Sequence, residues 1–156
     1  MPDVAIDRAH VGRTVGTQTL FVSRSRLRLF AKATGQSDPV YTDLDAARAA
    51  GHPDLPVPPT FFTAVRLESP DPFAWLTGLG VDLNTVLHGE QELIYHRMAH
   101  AGDTLTATER ITDLYDKRGG ALEFLVSTTR ITDQNRTLIT EAVSTTVIRE
   151  LSGAAS

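Results

Sequence analysis

Past Asn84 the chain falls into four long segments, 85–99, 103–117, 121–132 and 136–150. Leu122, Phe124 and Val126 alternate with polar residues, and Ile139, Val143 and Val147 are spaced by small ones. A period of two marks a strand with one buried face. Eleven threonines between Thr104 and Thr146, interleaved with valine and isoleucine, point the same way. The segments are separated by AGD at 101–103, KRGG at 117–120 and TDQNR at 132–136, all turn chemistry. The pattern predicts an antiparallel meander of four strands.

The first eighty residues read differently. GTQTLFV at 16–22 predicts a strand. Ser23 is placed to cap a helix over 24–34, with Leu27, Phe30, Ala31 and Thr34 on one face and Gly35 as its stop. A polar knot follows at once, Gln36-Ser37-Asp38-Pro39-Val40-Tyr41, in which Pro39 forbids simple continuation of the helix. A short helix is expected from Asp43 to Gly51. HPDLPVPPT then carries four prolines in nine residues, a stiff extended crossing. Pro59 or Thr60 opens TFFTAVRLE, apolar on nearly all sides, the mark of a buried helix that the strands curl around. Strand, helices, buried helix and four strands define an α+β layer fold.

The chain has 156 residues and reads as one domain, residues 1–151, with SGAAS at 152–156 as a disordered tail. Its net charge of -4 and the lack of a basic run argue against nucleic acid. The absence of cysteine excludes disulfides, thiolate catalysis and cysteine metal sites. With no apolar run of signal-peptide or membrane-span length, the expectation is a cytoplasmic protein with no membrane association.

Three stretches carry a family resemblance: FAKATGQSDPVYTD, LPVPPTFFTAV and VLHGEQELIYHRMAHAGDTLTATERI. Together they resemble the MaoC-like hydratase and dehydratase family, most closely its N-terminal, FAS1-like dehydratase domain group. The resemblance implies the hot-dog fold, an antiparallel sheet wrapped around a central helix. It implies hydration of 2-enoyl, or dehydration of (R)-3-hydroxyacyl, thioesters carried on CoA or acyl-carrier protein, with no cofactor. In active members the first stretch resembles F-A-x-x-[ST]-G-D-x-N-P-[IL]-H, whose Asp and His handle the α-proton and a water. A thioester α-proton is weakly acidic, so a base tuned near neutrality must reach it. Lining up the pattern puts Gln36 at the Asp, Asp38 at the Asn and Tyr41 at the His. Gln36 accepts no proton at neutral pH, and Tyr41, with a reference pKa of about 10, is a poor base. Active members also open the central helix with His-Gly, whose N–H polarises the thioester carbonyl. Pro58 and Pro59 stand in that region here and have no N–H, leaving Thr60 as the donor. The family pairs degenerate hot-dog subunits with catalytic ones, and that pairing is what the resemblance implies for this chain.

Other residues offer alternatives. By strand alternation His88, Glu90, Glu92, Ile94 and His96 share one face, so His88 and Glu90 are a candidate acid–base pair for a self-sufficient homodimer, or simply polar groups on a strand edge. No third ligand is spaced to make a metal site. Asp38 is either a relocated acid that touches substrate or an Asx-turn cap before Pro39. Pro59, Thr60 and Phe61 are candidate substrate contacts, with Phe61, Phe62, Val65 and Trp75 as core or tunnel wall. His52 and Asp54 flank the proline segment as ligand contacts or solvated loop; His10 and His100 are expected on the surface. A third possibility is a dimer that binds acyl thioesters without turning them over.

Overall fold

The structure, a computed structural model, describes residues 6–149; the tail at 152–156 lies outside them. In chain order the elements are β1 (Thr14–Phe21), α1 (Arg24–Thr34), α2 (Leu44–Ala49), α3 (Phe62–Arg66), α4 (Ala74–Gly78), β2 (Val86–Tyr95), β3 (Thr104–Lys117), β4 (Leu122–Thr132) and β5 (Leu138–Arg149). The strands form one antiparallel sheet in the order β1-β3-β4-β5-β2.

Local chemistry sets the ends of the helices. The Ser23 hydroxyl accepts the Arg26 N–H at 3.2 Å, and Gly35 closes α1 in the left-handed region at φ 70°. That conformation costs glycine nothing, because it has no Cβ to meet the carbonyl. Asp43 caps α2 through the Ala46 N–H. Leu27 and Ala31 are the buried face of α1, with Phe30 half-buried beside them and Thr34 exposed.

Two expectations change. The meander is only three strands long, β3 to β5. β2 leaves its sequence neighbour and pairs with β5 at the far edge, where the N–H groups of His96 and Arg97 both donate to the Ile139 carbonyl. The chain then returns through a bridge between Pro56 and His100 before β3 begins. The helix expected over 60–68 is shorter and one-sided. A 3₁₀ turn, Pro59–Phe61, leads into five residues of α3. Phe61, Phe62 and Val65 are buried, while Thr60 and Leu67 are exposed, because the sheet covers only one side of this segment. The architecture is the expected α+β hot dog, a curved antiparallel sheet around a short helix.

Cross-strand partners share a face, so the sheet's inner face can be read row by row. Leu20, Leu105, Ala107 and Ile131 join Leu27, Phe61 and Val65 in one buried cluster. Ile111, Leu114 and Leu125 join Ile6, Leu76 and Val81 in a second. Between them lies a polar band: Glu109 paired with Thr129, and Ser127 paired with Ser144, which in turn pairs with Gln91. Glu109, Ser127 and Thr129 are all buried.

Candidate functional site

The knot at 36–41 is held by its own side chains. Gln36 closes the end of α1 with its backbone N–H on the Ala31 carbonyl, 2.9 Å away. Its side-chain oxygen accepts the Asp38 N–H at 3.1 Å, and Asp38 Oδ1 accepts the Val40 N–H at 3.0 Å. Asp38 thus caps the 3₁₀ turn Pro39–Tyr41, the Asx-turn alternative. The Arg28 guanidinium donates to the Thr42 carbonyl at 2.8 Å and ties the far end of the knot to α1. Gln36 and Asp38 are exposed, Tyr41 is half-buried, and Val40 packs into the first cluster.

Aromatic contacts bring this knot beside the start of α3. Phe30, one turn before the knot, meets Phe61 edge-on at 5.3 Å between centroids. Phe62 in turn lies 6.2 Å from Tyr95, whose hydroxyl donates to the Pro59 carbonyl at 2.9 Å. The Phe30–Phe61 contact sets α1, which leads into Gln36, Asp38 and Tyr41, against the turn that holds Pro59, Thr60 and Phe61, and the Tyr95–Pro59 hydrogen bond joins that turn to the C-terminal end of β2. Partial burial pushes the Tyr95 phenol pKa upward, so it is a neutral donor at physiological pH. Tyr95 was missed in the sequence. Its signal was its alternation with Leu93, which puts both on the face toward α3.

His88 and Glu90 are not brought together. Gly89 is a bulge: His88 pairs with Thr146 and Glu90 with the adjacent Thr145. Adjacent partners point to opposite faces, so the sheet separates the two side chains. A Cβ at position 89 would lie 2.8 Å from Val147 Cγ2 and 2.9 Å from the Thr145 carbonyl oxygen, so the bulge needs glycine. His88 looks inward with Thr146 and Leu125; Glu90, Glu92 and Ile94 look outward. Seven residues of extended strand, roughly 20 Å, also separate His88 from Tyr95. Among the described residues no cluster of three His, Cys, Asp or Glu side chains is placed to hold a metal ion.

The other histidines make contacts of their own: His96 Nε2 lies 3.0 Å from Glu141 Oε2, and His10 Nδ1 lies 3.5 Å from the Arg13 guanidinium. His52 Nδ1 and His100 Nε2 lie 3.2 Å apart, pinning the proline crossing to the loop before β3. Asp54 is clamped by both arms of the Arg24 guanidinium at 2.9 and 2.6 Å, which holds its pKa at about 2. His100 is not a free surface group. It is half-buried, and its pKa is lowered by burial and by His52, against the opposing pull of Asp103 and Asp54. A depressed histidine binds its proton more weakly in the folded than in the unfolded chain. Stability is therefore expected to be full above about pH 6.5 and to decline as the pH falls through the folded value. Thermal melts at neutral and mildly acidic pH check this; His100→Gln flattens the profile.

No helix among the described residues is long and apolar enough to cross a membrane. The sequence profile described as "FAS1-like, dehydratase domain region" matches residues 9–142. The chain belongs to this family of dehydratase domains. A UPF0336 protein of Streptomyces coelicolor is 38% identical over 125 residues, covering 74% of this chain and 83% of that protein. One from Saccharopolyspora erythraea is 34% identical over 145 residues, covering 92% of each. The fold matches the HadBC (3R-hydroxyacyl-ACP dehydratase) complex of Mycobacterium tuberculosis at a TM-score of 0.74 and 23% identity, covering 88% of this chain and 96% of that one. It also matches the ChsH1–ChsH2 complex of the same organism at 0.74 and 20% identity, covering 92% and 88%.

Proposed function

We propose that this chain is the non-catalytic, substrate-shaping subunit of an (R)-specific 2-enoyl-thioester hydratase or 3-hydroxyacyl-thioester dehydratase. A hot-dog partner supplies the proton chemistry. One observation carries the reading: the knot at 36–41 is fully formed, yet Gln36 uses its side-chain oxygen to hold the Asp38 N–H and has no basic site to offer. The loop is held by its own side chains, while the positions that the resemblance assigns to an acid and a base carry an amide and a phenol. Pro58 and Pro59 at the start of α3 agree with this, since Thr60 carries the first N–H of that turn.

β2 supports the need for a partner. It is a ten-residue edge strand paired only with β5, and Leu87, Ile94 and Tyr95 are exposed along it. An unpaired edge of this length is a template for a second sheet. The two complexes named above are assemblies of related folds, and one carries a hydroxyacyl dehydratase activity in its name. The substrate is then an acyl chain on CoA or on carrier protein, in the cytoplasm. In hydration, water adds its oxygen to C3 and a proton reaches C2; dehydration reverses both steps. Here Gln36, Asp38, Tyr41, Pro59 and Thr60 line the approach to that centre without transferring protons, while Phe61, expected as a substrate contact, is buried in the core behind them. The single hot-dog domain is residues 1–151.

The experiment is reconstitution. Loss of enoyl absorbance is followed with crotonyl-CoA and longer 2-enoyl-CoAs. The isolated chain is expected to be silent, and turnover is expected once a MaoC-like subunit with an intact Asp and His is added. Robust turnover by the isolated chain overturns the reading. A self-sufficient enzyme using His88 and Glu90 is disfavoured by their placement on opposite faces. Thioester binding without turnover in either condition favours a carrier or sensor.

A further inference from the structure

The open edge of β2 carries a charge pattern that bears on what covers it. Glu90 and Glu92 lie two positions apart on the outer face of the sheet, and both are exposed. Among the described residues no ion pair reaches either of them. Their partners on β5 are Thr145 and Val143, which bring no cation. The next outward pair along the ladder, Ile94 with Glu141, adds another carboxylate, and that one is already held by His96 and Arg130.

Two like charges on an edge strand set a condition on the strand that joins it. Residues directly opposite in an antiparallel pair share a face; like charges there repel and opposite charges attract. A second copy of this chain, joined edge to edge about a two-fold axis with its inner face on the same side, pairs β2 with β2. Centred on Glu90 or on Glu92, that axis sets the residue against its own copy. Centred on Gln91, it sets Glu90 against Glu92 twice. A slip to Leu93 takes Glu92 opposite Ile94 but leaves only residues 91–95 of each strand paired. Self-pairing therefore meets either repulsion or a shortened ladder. Edge charges also guard against aggregation, yet the same strand keeps Leu87, Ile94 and Tyr95 exposed, the mark of an edge that another strand covers.

We propose that β2 selects its partner by charge: it takes the edge strand of a different hot-dog subunit, one that presents lysine or arginine opposite Glu90 and Glu92, and it disfavours a second copy of this chain. This selection presupposes the partner-dependent reading above and names the kind of strand that fits it.

The test needs no turnover, so a silent or an active isolated chain in the enoyl assay does not decide it. The probe for a cationic edge is the full chain carrying Glu90→Lys and Glu92→Lys, two exposed positions outside both core clusters. Sedimentation velocity at low ionic strength is run on the wild-type chain, on the lysine variant and on their 1:1 mixture. The mixture is expected to associate at least about tenfold more tightly than either protein alone. Net charge by itself predicts otherwise: the two changes move the chain from -4 to neutrality, which would favour the lysine variant with itself. The gain is expected to shrink at about 1 M NaCl, where the Debye length is about 3 Å. A second measurement uses Glu90→Gln with Glu92→Gln, which is expected to self-associate about threefold or more tightly than the wild-type chain at low salt. A mixture that associates no more tightly than the wild-type chain alone overturns the proposal. So does a glutamine variant whose self-association equals that of the wild-type chain.

Discussion

In an assembly reconstituted with a dyad-bearing partner, Gln36→Ala is expected to change kcat by less than about threefold, while removing the partner's catalytic carboxylate or imidazole lowers it by about 10²–10⁴-fold. The asymmetry follows from the loop. The Gln36 side chain holds the Asp38 N–H, an exposed contact whose loss is small and local. Nothing in that contact transfers a proton. Steady-state kinetics on both single substitutions, with the same partner preparation, make the comparison. A loss in Gln36→Ala as large as that from the partner's acid would mean that Gln36 orients the reacting water, and the non-catalytic assignment would fall.

Glu109→Leu is expected to destabilise the chain by about 3 kcal/mol, near the low end of what removing one member of a buried pair costs. The Arg66 side chain is 29% exposed, so water partly compensates the orphaned guanidinium. Ser127 loses its acceptor in the same step. The opposite replacement, Arg66→Met, strands a buried carboxylate and is expected to cost about as much. Combining the two is expected to recover most of the loss, because apolar side chains of similar volume need no partner. Urea denaturation of the four proteins gives the coupling, provided the m-values agree. Additive losses in the double variant would show that Arg66 and Glu109 stabilise the fold independently.

That pair also shows where a sequence reading stops. TATERIT lies in the strand expected over 103–117, with nothing local to mark Glu109 as buried, yet it belongs to the polar band between the two apolar clusters. Its partner Arg66 lies 43 positions away. His52, expected as a ligand contact or solvated loop, and His100, expected on the surface, are 48 positions apart and meet each other instead. For Gly89 a signal was present in the sequence. Glycine inside a strand often marks a bulge, and a bulge breaks the alternation that seemed to align His88 with Glu90.

The features legible in the residues alone are those governed by hydrogen bonds a few positions long. Ser23 and Gly35 bound α1, Asp43 starts α2, and Gln36 with Asp38 ties the knot whose missing acid and base frame the functional reading. The alternating segments gave the strands for the same reason, since side-chain period needs no distant partner. Tertiary structure decided the sheet order, the flight of β2 to the far edge, the one-sided burial of α3, and the joining of Tyr95 to Pro59. Each depends on which surfaces the folded chain sets against one another, and that choice is made by the packing of the whole core rather than by any short stretch of residues.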